Sequence, residues 1–122
     1  MSTLQQDKTL NTLVQEKIDE MTQHPAWHGD LTGMEAESLL RFQPAGTYLL
    51  RQGERTDLFY LSFVIGTELS HLPIKIDSSS HQWFYLNSTP HYAHDLTSFI
   101  PEIMHREEAE CHPLAQFAMI SL

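Results

Sequence analysis

Apolar residues recur at helical spacing near the start of the chain: Leu10, Val14, Ile18 and Met21 follow one another at intervals of four, four and three, with Leu13 beside them. This spacing predicts an amphipathic helix over residues 4–22, with Asp7, Glu16, Lys17, Asp19 and Glu20 lying mostly off the apolar face. Pro25 has no amide hydrogen and closes the segment. A second helix is announced by Thr32 and Glu35, a T-x-x-E spacing in which each side chain satisfies the other residue's backbone N–H. Ala36, Leu39 and Leu40 line its buried face up to about Arg41, and the turn Gln43-Pro44-Ala45-Gly46 follows.

The period then changes from helix to strand. "TYLLRQ" (47–52), "DLFYLSFVI" (57–65), "ELSHLPIKI" (68–76) and "QWFYL" (82–86) read as four consecutive strands. Gly66-Thr67 supplies a two-residue hairpin loop, and "DSSSH" (77–81) is turn chemistry. Phe99, Ile100, Ile103 and Met104 mark another helix, with Leu96 packed before it; a start at Thr97 or Ser98 keeps Pro101 in the first turn, where its missing N–H is tolerated. The closing "PLAQFAMISL" is apolar enough for a strand or a packed tail. Short loops between successive strands, and apolar residues on both faces of the first two, imply an α+β fold: a central antiparallel meander sheet flanked by two helices, with an additional N-terminal amphipathic helix. The expected organisation is a helical segment over 1–24 and one domain over 25–122, without repeats or a flexible linker.

Composition narrows the function classes. With 122 residues and 41% hydrophobic content the chain can bury one core. No apolar run approaches a membrane span or a signal sequence, and the single cysteine, Cys111, fits a reducing compartment, so a cytoplasmic monomer is expected. A net charge of −9 disfavours nucleic acid and anionic membranes as partners. Any anion must therefore be held by a local group of donors.

That requirement directs attention to Arg51, a permanent cation at the end of an apolar strand. By strand alternation it shares a face with Thr47 and Leu49, between sheet and helix. A buried charge needs an anionic partner or access to water, so two readings stand: an internal salt bridge or an arginine reaching out at the strand end, and an anion pocket awaiting its ligand. The residues that follow favour the pocket. Gly53 permits a tight turn presenting N–H groups, Arg55 adds a cation and Thr56 a hydroxyl, a set suited to phosphate.

Other chemistry is poorly supported. The eight histidines include pairs at helical spacing, His24/His28 and His91/His94, but the first pair flanks Pro25 and neither has the cysteines or carboxylates of a metal site; no metal or cofactor is expected. Cys111 reads as a packed residue, and His94-Asp95 has no nucleophile elbow to serve, so an enzyme is not expected. The N-terminal helix reads either as a core contact or as a dimerisation or partner helix. Glu107, Glu108 and Glu110 form an acidic, solvated rim.

In order and spacing, several stretches resemble a Src-homology-2 domain, the phosphotyrosine-binding module of signalling proteins: "WHG" with "TGMEAESLL", then "GTYLLR", "YLS", "SHLPIKI", "FYL" and "SFIPEIM", together covering roughly residues 27–120. The resemblance implies that Arg51 forks onto two phosphate oxygens at the pocket floor. It implies that Gln52, Gly53, Glu54, Arg55 and Thr56 form the phosphate-binding loop, and that His71 lines the pocket. A bound peptide would cross the sheet edge with its following residues near Leu72, the 87–95 loop and the 105–113 loop. The pattern also departs from the family: Gly33 stands where many members carry a helix arginine, Pro73 where a lysine is frequent, and Gly53 where a serine is usual. The expectation is that Arg55 compensates from the loop. The resemblance further implies tyrosine-phosphorylated proteins as partners, for a small adaptor or, in the setting of a bacterial effector, a protein secreted into a host cytosol. The alternative is a degenerate, non-binding scaffold or dimerisation module.

Overall fold

Four hairpins in succession double the chain back on itself, and each connection is too short for a crossover. The computed structural model describes residues 2–87 and 89–115, with the side chains of 12–85 and 89–115. Its elements are α1 (Ser2–Thr22), α2 (Gly33–Leu40), β1 (Thr47–Gln52), β2 (Leu58–Ile65), β3 (Glu68–Ile76), β4 (Trp83–Asn87), β5 (Thr89–Ala93), α3 (Leu96–Met104), a 3-10 turn (Glu108–Glu110) and β6 (His112–Pro113). The sheet order is β5-β4-β3-β2-β1-β6. The four expected strands form the antiparallel meander, β5 extends it by one strand, and β6 adds to β1 in parallel, Thr47 opposite His112.

Side-chain alternation divides the interior in two. On one face Leu50, Phe59, Leu61, Ile74 and Trp83 pack against Phe99, Ile100 and Ile103 of α3. On the other, Leu49 and Val64 meet Ala36 and Leu40 of α2. α1 lies with the α3 layer: Met21 is fully buried, and Val14 and Ile18 pack against the same cluster. The Glu20 carboxylate fixes it there, accepting from Trp83 Nε1 at 2.9 Å and from the amide of Leu96, the first residue of α3, at 2.6 Å. An acid at that helix start is also favoured by the helix dipole. Lys17 adds a hydrogen bond to the His94 carbonyl and lies 5.9 Å from the Trp83 ring centroid.

After α1 the chain runs along the edge of β1. Leu50 N–H donates to Ala26, His28 N–H to Leu50, and Gln52 N–H to the Gly29 carbonyl. This path delivers Leu31 and the start of α2 to the end of β1, where Arg51 sits.

Three expectations need correction. The segment 87–95 is not a loop: Thr89–Ala93 pairs with β4 from Trp83–Ala93 to Asn87–Thr89. Pro90 has no N–H to give a ladder, but an edge strand needs hydrogen bonds on one side only and accommodates it. The 105–113 loop contains the 3-10 turn and β6. In α3, Asp95 caps the helix by accepting from Ser98 N–H, so the helix begins at Leu96 and Pro101 falls in its second turn, beyond the first-turn position expected. Leu96 can then bury its side chain fully in the core. The part of the expected C-terminal strand or tail beyond residue 115 lies outside the described residues.

Candidate functional site

Within β1, Leu49 completes the apolar cluster under α2, and Arg51, two residues on, reaches the start of that helix. The helix start is fixed locally by the capping box: Glu35 N–H donates to Thr32 Oγ1 at 3.1 Å, and Thr32 N–H donates to Glu35 Oε1 at 2.9 Å. Sheet register supplies the rest. Arg51 lies opposite Tyr60 on β2, and Ser62 lies opposite His71 on β3. All four side chains share the α2 face.

Arg51 is only 8% exposed. Its Nε donates to Ser62 Oγ at 3.1 Å. Nη1 approaches the Leu31 carbonyl and Nη2 approaches His71 Nδ1, each at the long distance of 3.4 Å. The guanidinium carbon sits 4.6 Å from the Tyr60 ring centroid, a cation–π contact. No carboxylate of the described residues comes within the 4.0 Å of an ion pair with Arg51. The nearby acids act through intermediaries: Glu37 contacts His71 Nε2 at 3.0 Å, and Glu54 accepts from the Tyr60 hydroxyl at 3.2 Å. Burial pulls the Arg51 guanidinium below its ordinary range, and Tyr60, Glu54 and Glu37 offset part of that pull. Burial also raises Tyr60, with the Glu54 hydrogen bond adding to the effect.

The partners assign the proton positions. Glu37 can only accept, so His71 carries its proton on Nε2. His71 Nδ1 then accepts from the Ser62 hydroxyl at 2.7 Å, and the Ser62 oxygen is left to accept from Arg51. Carboxylate, imidazole and hydroxyl follow one another as in a hydrolase relay, but Ser62 has no exposed surface and its oxygen is engaged by a cation. The chain Glu37–His71–Ser62 instead holds Arg51 by its Nε edge and leaves the terminal nitrogens in only weak contacts.

The loop after Arg51 is closed from within. Gly53 N–H donates to the Leu58 carbonyl at 2.8 Å, and a Cβ at residue 53 would lie 2.7 Å from the same oxygen, so only glycine fits. Gln52 Nε2 donates to the carbonyls of Arg55 and Leu58. Among the described residues the amides of Glu54, Arg55 and Thr56 meet no acceptor. Arg55 is turned to Asp57, with Nε 3.2 Å from Oδ1 and Nη2 3.2 Å from Oδ2, and its side chain is 66% exposed. Thr56 is exposed and, with Arg55 and Asp57, borders a depression shared with Val14 and Ile76.

Thus Arg51 and His71 come together, the amide of Gly53 is used to close its own loop, and Arg55 is engaged by a local acid. Leu72 packs against the core on the α3 side. Gly33 stands beside Arg51: a Cβ there would lie 3.5 Å from Nη2. Sequence reasoning missed Ser62, Tyr60, Glu37 and the Leu31 carbonyl. Ser62 carried a signal, being a hydroxyl at an inward position of an otherwise apolar strand. No group of three or more metal-ligating side chains assembles among the described residues.

A family model described as SH2 domain matches residues 27–100. No curated protein matches the chain. A solution NMR structure of the SH2 domain of the Monosiga brevicollis CRK/CRKL homolog is similar, with a TM-score of 0.55, 25% identity, and coverage of 69% of this chain and 77% of that one.

Proposed function

The chain belongs to the SH2 domain family, whose members are binding modules that generally recognise phosphotyrosine peptides, and on that premise we propose that it binds tyrosine-phosphorylated proteins through an anion pocket floored by Arg51. The observation that carries this reading is a buried guanidinium with no carboxylate in ion-pair contact among the described residues. A structural arginine at that depth would be paired, because a buried unpaired charge is costly. Here the charge is held on one edge by Ser62 and faced by an aromatic ring, which keeps it in place without neutralising it.

Phosphotyrosine fits the demand. It carries roughly −1.5 to −2 charges and several acceptor oxygens. Its aromatic stem spans the depth to Arg51 that phosphoserine would not. The amides of Glu54, Arg55 and Thr56, open among the described residues, are the loop's donors, and His71 stands beside Arg51. Arg55 joins them on release from Asp57, an exposed pair of the kind that contributes little. The protein then acts as an adaptor or effector in tyrosine-phosphorylation signalling, within a cytosol. No helix among the described residues is long and apolar enough to cross a membrane.

The test is titration of wild type and Arg51→Leu with a phosphotyrosine peptide. Breaking a buried charge pair costs about 2–5 kcal/mol, which is a loss of roughly 30- to 5,000-fold in affinity. Equal affinities would sink the proposal, and a wild type that binds no phosphopeptide would support the scaffold reading.

A further inference from the structure

Resting on the phosphotyrosine reading, we propose that Lys75 and the bare sheet face around it receive an acidic residue of the same phosphopeptide, outside the Arg51 pocket. The cover given by α2 ends part-way along β3. Leu69 and His71, on the α2 face, are half-buried, whereas Pro73 and Lys75, further along the same face, are exposed. Their neighbours Ile74 and Ile76 point into the α3 layer and are buried. From Pro73 onwards the sheet therefore has one covered face and one bare face. Register carries the bare face outward: Lys75 lies opposite Phe84, and Phe84 opposite Tyr92. The Phe84 and Tyr92 ring centroids are 5.1 Å apart, and Tyr92 is 46% exposed.

Charge decides what this face accepts. Among the described side chains, Lys17, Arg51, Arg55 and Arg106 are held by partners within the chain. Lys75 makes no hydrogen bond, ion pair or ring contact among the described residues. No carboxylate stands beside it on Pro73, Phe84 or Tyr92, and the acids of the loop after Arg51 are engaged, Glu54 by Tyr60 and Asp57 by Arg55. In a chain of net charge −9, a bare face with a cation, two aromatic rings and no acid suits a carboxylate whose carbon stem lies on the rings. The face is also continuous with the pocket. Tyr60 lies opposite Arg51 on one side and opposite Pro73 on the other, so the row that starts at the guanidinium ends where the bare face begins. One peptide thus places its phosphotyrosine at Arg51 and a nearby acid at Lys75.

The test is a titration series with phosphotyrosine peptides that differ only in a single glutamate or glutamine, moved through the positions on either side of the phosphotyrosine. For the wild type, one position is expected where glutamate binds about three- to fivefold more tightly than glutamine, the upper range of an exposed charge pair. Lys75→Gln should lose the preference at that position. Arg41→Gln, which removes an exposed cation at the far end of α2, should keep it. A preference that survives Lys75→Gln overturns the proposal. A preference that Arg41→Gln removes equally overturns it as well, since it marks a response to net charge alone. Arg51-dependent binding with no glutamate preference at any position overturns this inference and leaves the phosphotyrosine reading standing, whereas no binding of any phosphopeptide overturns both.

Discussion

Leu61 and Ser62 are neighbours on β2, both without exposed surface, and they face opposite interiors. Leu61 points into the layer shared with α3 and α1, where its companions are Phe59, Trp83, Phe99 and Met21. Ser62 points into the layer under α2, where it bonds a guanidinium and an imidazole. The first layer is large and apolar. The second has a small apolar cluster at one end and a polar network at the other. One sheet thus supports two environments, and alternation lets each be specified without disturbing the other. The layer with the larger core holds most of the buried apolar side chains, and the other holds a guanidinium that no carboxylate of the described residues pairs directly.

The hardest test of that division is Leu61→Ala. Removing a fully buried leucine side chain should cost about 2–5 kcal/mol of folding free energy in chemical denaturation. The Leu61 side chain packs on the face opposite Arg51, so the folded fraction should keep its phosphopeptide affinity within about twofold. A large affinity loss in folded protein would show that the two layers are coupled.

A second test uses pH. Tyr48, 6% exposed on the α3 side, has its hydroxyl pKa pushed up to about 12, chiefly by burial and then by Cys111 and Glu108. Between pH 10 and 12 the unfolded chain has released this proton and the folded chain has kept it. Stability therefore falls as pH rises through that window, by up to about 2–3 kcal/mol at its upper end. Tyr48→Phe should flatten the decline, read as the difference between the two proteins' denaturation midpoints across the window. Parallel curves would show that burial of Tyr48 does not oppose its ionisation.

The two layers were not equally legible in the sequence. The strands at 47–52 and 68–76 were read with the observed bounds because strong turn signals flank runs of β-forming residues. The capping box was visible as Thr32 and Glu35. The strand Thr89–Ala93 was missed because exposed polar residues and Pro90 look like a loop until a partner strand supplies the pairing. Arg51 and His71 stood out by type and by resemblance, whereas Ser62, Tyr60 and Glu37 become site residues only through register and helix placement. The role expected of Arg55 depended on its being free, and Asp57, two residues on, holds it locally. Inference from residue type locates a charge well and its competitor poorly, since the competitor is decided by geometry.

The mildest change tests the polar layer on its own terms. Ser62→Ala removes the acceptor for Arg51 Nε and the donor to His71 Nδ1 while leaving Leu61 and its layer intact. The stability cost should be about 1–2 kcal/mol, set by leaving those two buried groups without partners. That is smaller than the Leu61→Ala cost because a hydroxyl buries little apolar surface. Affinity should respond in the opposite proportion. With its Nε edge released, Arg51 regains side-chain freedom that phosphate binding must then remove again, so the variant should bind a phosphotyrosine peptide several-fold to about tenfold more weakly. Measured together, the two variants should cross: Leu61→Ala the less stable and unchanged in affinity, Ser62→Ala the less destabilised and the weaker in binding. If Ser62→Ala keeps full affinity, Arg51 is oriented by the Tyr60 ring and the Leu31 carbonyl instead, and the hydroxyl belongs to the packing of the sheet.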